Sequence, residues 1–200
     1  MNATPRTQST PVPSLSSLSS PSSPSSRGSL AAFPPPRCNR CDFGTRPFDR
    51  SAAGELLREY AARWQRVLVD PGTTGRRVGV PAWSPLEHGC HVRDMCLLFH
   101  QRLDATLGAA GASLGALTIP DGAQGFDVPA LYRDEDPRRV CEELGRAAEA
   151  LARRFDGLGG EDWERRDPRF PEDCLTVDFF TRHFFHDVAH DLGEVLRASV

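Results

Sequence analysis

Residues 183–191 read HFFHDVAHD, three histidines within eight positions. On a helix, at ~100° per residue, His186 and His190 stack one turn apart and His183 falls on the same side. Phe180, Phe184, Val188, Leu192 and Val195 gather on the other half. A histidine used as core filler would sit within that apolar stripe. These three line a second face, one that is either solvated or borders a cleft. Two histidines four apart can aim their imidazole nitrogens at a single cation, but a lone H-x-x-x-H is a weak signal. A metal site needs further ligands from elsewhere in the chain.

Two other stretches can supply them. WSPLEHGCHVRDM, residues 83–95, carries His91 beside the apolar stripe of a second helix, with His88 one turn earlier. A bundle that sets this helix beside the last one would bring His91 toward His186 and His190. His88 and His183 each lie one turn from a proposed ligand and read as ordinary polar neighbours, with substitute ligand or proton carrier as the other roles open to them. Glu87, Asp94, Asp187 and Asp191 are candidate acceptors for imidazole N–H groups, where carboxylates commonly hold metal-bound histidines in place.

The second stretch is Cys38-Asn39-Arg40-Cys41, a C-x-x-C that can chelate zinc or form a redox pair. No second C-x-x-C or C-x-x-H completes it, and Cys90, Cys96, Cys141 and Cys174 lie on separate elements. Part of a zinc ligand set, a regulatory disulfide and a packed N-terminal strap all remain open. Strap or metal clip is preferred over catalysis, because thioredoxin-like chemistry needs a βαβ context that is missing. The other four cysteines read as small buried hydrophobes.

These residues must be positioned by helices. Leu57, Tyr60, Ala61, Trp64 and Leu68 form a stripe over residues 51–69, closed by Pro71-Gly72. Ser84-Pro85-Leu86-Glu87 announces the second helix with a capping box and a first-turn proline, and Val92, Met95, Phe99 and Leu103 follow on one side. Asp136-Pro137 starts a third, striped by Val140, Leu144, Ala147, Ala148, Leu151 and Phe155. A fourth begins near Thr176. No strand alternation is evident, so four long helices with two long connections predict an all-α four-helix bundle. Residues 1–36, largely Ser, Pro and Thr, cannot offset their ordering entropy and read as a disordered tail before a domain over 37–200.

The bulk properties narrow the function. The chain has 200 residues and a formal net charge of -3, against the basic face of a nucleic-acid binder. No apolar run approaches the ~20 residues of a membrane span and no signal-peptide core is evident, so a soluble, cytoplasmic protein is expected. All 24 basic residues are arginine; with abundant alanine and glycine this composition suggests a GC-rich, actinobacterial genome. Arg93, Arg102, Arg133 and Arg182 are candidate anion-binding residues, Arg102 being preferred because it shares the face of His91. Gly-rich phosphate loops, G-x-S-x-G and H-E-x-x-H are all missing, which removes support for nucleotide chemistry and serine hydrolysis.

Trp83-Ser84-Pro85-Leu86-Glu87 with His91, followed late in the chain by His186-Asp187-Val188-Ala189-His190, resembles the DinB-like superfamily. The C-x-x-C-x-F segment and CHVRD resemble one actinobacterial branch of it, and the resemblance spans roughly residues 37–198. It implies a DinB-like four-helix bundle with long crossover connections and a divalent metal (zinc, with nickel or iron as alternatives) on His91, His186 and His190. It further implies that the ion activates a low-molecular-weight thiol such as mycothiol for S-transfer or isomerisation of a small electrophile. Metal-assisted hydrolysis or lyase chemistry, a non-enzymatic metal-binding or stress-response protein, and a zinc-stabilised interaction module are the competing expectations. A small-molecule substrate and the thiol are the expected partners, and long exposed helices are compatible with a homodimer.

Overall fold

The structure is a computed structural model. It describes residues 38, 41, 43, 48–72, 83–108, 131–167 and 175–197, all within one compact unit that spans 32–200. The tail expected over residues 1–36, and Cys174, lie outside the described residues.

Among the described residues there are four α-helices and no β-strand: α1 Ala53–Val69, α2 Pro85–Leu107, α3 Pro137–Asp156 and α4 Val177–Arg197. Their ends follow from local chemistry. Ser84 Oγ accepts from Glu87 N–H at 3.2 Å while Glu87 Oε2 accepts from Ser84 N–H at 2.6 Å, the reciprocal capping box expected for α2. Gly108 ends that helix at φ 77°, a left-handed conformation that costs glycine little. Asp136 caps α3 by accepting from Arg139 N–H at 2.8 Å. Thr176 Oγ1 accepts from Phe179 N–H at 3.2 Å at the start of α4.

Contacts along the helices give their directions. Gln65 reaches Cys141 O at 3.3 Å and Arg58 reaches Asp156 at 2.8 Å, so α1 and α3 are antiparallel. Arg93 pairs with Glu143 and Asp104 with Arg154, so α2 and α3 run the same way. His88 lies beside Asp191 and Phe99 beside Phe184, so α2 and α4 are antiparallel. The connection over 108–136 therefore crosses over, whereas those before α2 and after α3 join helices of opposite direction.

Every predicted core residue of α3 is buried, as are Leu57, Ala61, Trp64 and Leu68 of α1. Gly54 allows the close approach of these two helices, since a Cβ there would lie 2.9 Å from Ala152 O. An aromatic cluster joins the other elements. Phe184 packs on Phe99 at 5.1 Å, and Phe155 stacks on Trp163 at 6.1 Å and 12°. Phe185, fully buried, touches Phe155, Phe48 and Tyr60. Phe185→Ala is expected to destabilise the fold by about 3–5 kcal/mol in denaturant unfolding, by lost burial plus a cavity.

The segment ahead of α1 is tied to α4 electrostatically. Arg50 bonds Asp178 at 2.6 Å and Glu164 at 2.7 Å, and Arg182 bonds Asp178 at 2.7 Å. Burial pushes the Asp178 carboxyl up, but hydrogen bonds from Arg182 and Arg50 outweigh it and hold it below the usual carboxylate range. A depressed folded-state pKa stabilises above the unfolded value, and that stability is lost as pH falls through the folded value. Asp178→Asn should therefore lower the thermal midpoint at neutral pH, and its deficit against the wild type should shrink as pH drops below about 4.

Candidate metal centre

α4 turns a polar face outward, as its helical projection predicts. His183, His186 and His190 are half-buried while Phe184, Val188, Leu192 and Val195 are buried. What covers the polar face is the segment that precedes α1. Phe43 sits edge-on to His186 at 5.9 Å between ring centroids, and Cys38 Sγ lies 3.5 Å from His190 Nδ1. One ligand atom from each of Cys38, Cys41, His186 and His190 lies within 4.8 Å of all the others, and all four residues are half-buried.

This geometry and donor set fit zinc. Zn–S near 2.3 Å and Zn–N near 2.0–2.1 Å, at a tetrahedral angle, place S and N about 3.5 Å apart. The Cys38–His190 separation agrees with that value. Two thiolates with two imidazoles make a borderline-soft set that suits zinc better than calcium or magnesium. The rings of His186 and His190 lie 5.5 Å apart at 41°.

Carboxylates set the ring orientations. His186 Nδ1 lies 3.2 Å from Asp187 Oδ1, and its Nε2 is buried without a hydrogen-bond partner. His190 shows the reverse arrangement, with Nε2 3.3 Å from Glu194 Oε1 and Nδ1 facing Cys38. A carboxylate that takes the far N–H of each imidazole fixes the tautomer and leaves the other nitrogen basic toward a cation. Asp187 lies within hydrogen-bond reach of His186. Glu194, one turn after His190, was not anticipated; its sequence signal is the H-x-x-x-E spacing.

The expected third histidine is placed elsewhere. His91 is half-buried on α2, its ring edge-on to Trp83 at 5.6 Å and 88°, and it is not part of the ligand group. The antiparallel pairing of α2 and α4 does set His91 about level with His190. However, α2 packs against the apolar half of α4, and the strap meets the histidine half. The residues that stand with His186 and His190 are Cys38 and Cys41, so the C-x-x-C and the H-x-x-x-H meet in one group that could hold a metal ion.

Other candidates have structural partners. Glu87 holds the α2 cap. Asp94 accepts from Arg93 and from the Tyr132 hydroxyl on the α2–α3 side, not from an imidazole. Arg102 bonds Asp167 at 3.1 Å and lies over the Phe180 ring at 3.2 Å, which makes it a buried-pair partner and a cation–π contact. Arg182 pairs with Asp178 and lies over Phe48. Cys90 and Cys96 are buried, and burial pushes both thiols up to about 12, as inert small hydrophobes should behave.

The chain matches no protein-family model, no curated protein and no solved structure at a significant level.

Purified protein should carry about one zinc per chain, the stoichiometry of a single tetrahedral site. Cys38→Ser and His190→Ala should each remove most of it by elemental analysis, whereas His91→Ala should retain it. Retention by both ligand variants would dismiss this centre.

Proposed function

We propose that this protein is a zinc-binding helical protein in which one ion, held by Cys38, Cys41, His186 and His190, ties the N-terminal strap to α4. The convergence of four ligand atoms within 4.8 Å, from segments at opposite ends of the domain, carries this reading. Four protein ligands complete a tetrahedral zinc, the pattern of a closed site rather than one kept open for substrate. Such a site does not exist in the unfolded chain, so the binding free energy adds to folding free energy.

The register of His91 favours a second reading, the thiol-transfer or isomerase activity implied by the DinB-like resemblance. A divalent ion supplies acidification of a bound thiol or water. Three histidines would hold it if His91 moved toward His190 and a cysteine gave up its place to a small-molecule thiol such as mycothiol. The chain's own part would be to orient that thiol beside the histidine face of α4.

Two measurements separate the readings. The closed centre requires that chelation lower the thermal midpoint and raise proteolysis near residues 38–48, with mycothiol and a bimane electrophile conjugated no faster than without protein. Conjugation that depends on zinc and is lost in His91→Ala would instead establish the transferase. A midpoint indifferent to chelation would remove the zinc-held strap.

A further inference from the structure

Beside the metal centre lies a second polar group to which the ligand set makes no appeal. Trp64 of α1, Trp83 just before α2, His88 of α2 and Asp191 of α4 meet where these three helices adjoin. The Trp64 and Trp83 rings flank the imidazole of His88 at 6.5 and 5.3 Å between centroids. His88 is 5% exposed and Trp64 0%. Five atoms of these four residues are buried without a hydrogen-bond partner: both indole Nε1 atoms, both His88 nitrogens and Asp191 Oδ2. His88 Nδ1 and Asp191 Oδ2 stand 3.5 Å apart, too far for a closed hydrogen bond. Nδ1 and Oδ2 face each other, and leaving each of the other three groups unpaired costs on the order of 1–3 kcal/mol, so the two indole N–H groups and Nε2 call for an occupant.

The donor and acceptor inventory decides what kind. Asp191 beside Nδ1 favours the tautomer that carries its proton there, since the other would set a lone pair against a carboxylate. Nε2 then presents a lone pair and asks for a donor, while the indole N–H groups can only donate and ask for an acceptor. A carboxylate or phosphate cannot donate to Nε2 and would face Asp191. An ammonium cannot accept from an indole. A hydroxyl does both.

We infer that Trp64, Trp83, His88 and Asp191 form a binding site for one O–H group, contributed by a water or by a small hydroxylated ligand. The occupant donates to His88 Nε2 and accepts from indole N–H. The His88–Asp191 pair polarises its O–H bond, one residue away along α4 from the zinc ligand His190. The site does not depend on the identity of the metal or on a thiol activity.

The test uses the full chain loaded with zinc and reads the Trp64 and Trp83 indole protons by NMR. Cross-peaks from these protons to a long-lived water are expected. Titration with ethanol and with glycerol then distinguishes the sources. Loss of the water cross-peaks with shifts at His88 Nε2 identifies a hydroxylated-ligand site, and persistence of the water at every concentration identifies a water site. His88→Phe should weaken alcohol binding by about tenfold or abolish the water cross-peaks, with zinc content retained. Asp191→Asn, which preserves shape, should move the His88 proton to Nε2 and give the same loss. Neither water cross-peaks nor alcohol-induced shifts in the wild type, or signals unchanged in both variants, would overturn the inference.

Discussion

α4 is built on a division between two faces that the helical period keeps apart. Phe184, Val188, Leu192 and Val195 are buried toward the other helices, while His186 and His190 lie one turn apart on the side the strap covers. Were the period different, imidazoles would enter the core and apolar rings would meet the strap. The aromatic packing of Phe184 on Phe99 and of Phe185 on Phe155 fixes the rotation of α4 about its axis. That rotation sets where the two imidazoles stand.

The strap reaches those imidazoles because several weak ties act in series. Arg50 bonds Asp178, Phe48 packs on Phe185 and Trp163, and Phe43 packs on His186. Each is modest alone: an ion pair that is part exposed contributes little, and the aromatic contacts are tilted or edge-on. Together they deliver Cys38 to 3.5 Å from His190. Asp187 and Glu194 then orient the rings from behind, in opposite tautomeric senses. The two imidazoles are held by the same helix that carries their neighbouring carboxylates.

The first six residues of α2, Pro85 to Cys90, are all buried, so that helix begins inside the structure. A helix start buried in this way needs its own satisfaction, and the Ser84–Glu87 box provides it. His88 follows one residue later, buried against two indoles and Asp191. The candidate metal group and this buried polar cluster are adjacent along α4, through the neighbouring residues His190 and Asp191.

Much of this was legible from residue order. Ser84-Pro85-Leu86-Glu87 and Asp136-Pro137 encode helix starts through bonds that span only a few residues. The stripes of α1 and α3 encode their buried faces for the same reason. The off-core placement of His186 and His190 followed from ~100° per residue alone. Ligand membership was different. Cys38 and Cys41 lacked any nearby partner, and His91 was the reasonable third ligand on spacing. The choice between them depends on which segment covers the outer half of α4, and that is set by Arg50, Phe48 and Phe43 acting across more than a hundred residues. Helix existence and capping are local physics, which the sequence by itself determined. A metal-binding group gathers donors from distant segments at one point in space, so only the tertiary structure decided that Cys38 and Cys41, and not His91, stand beside His186 and His190.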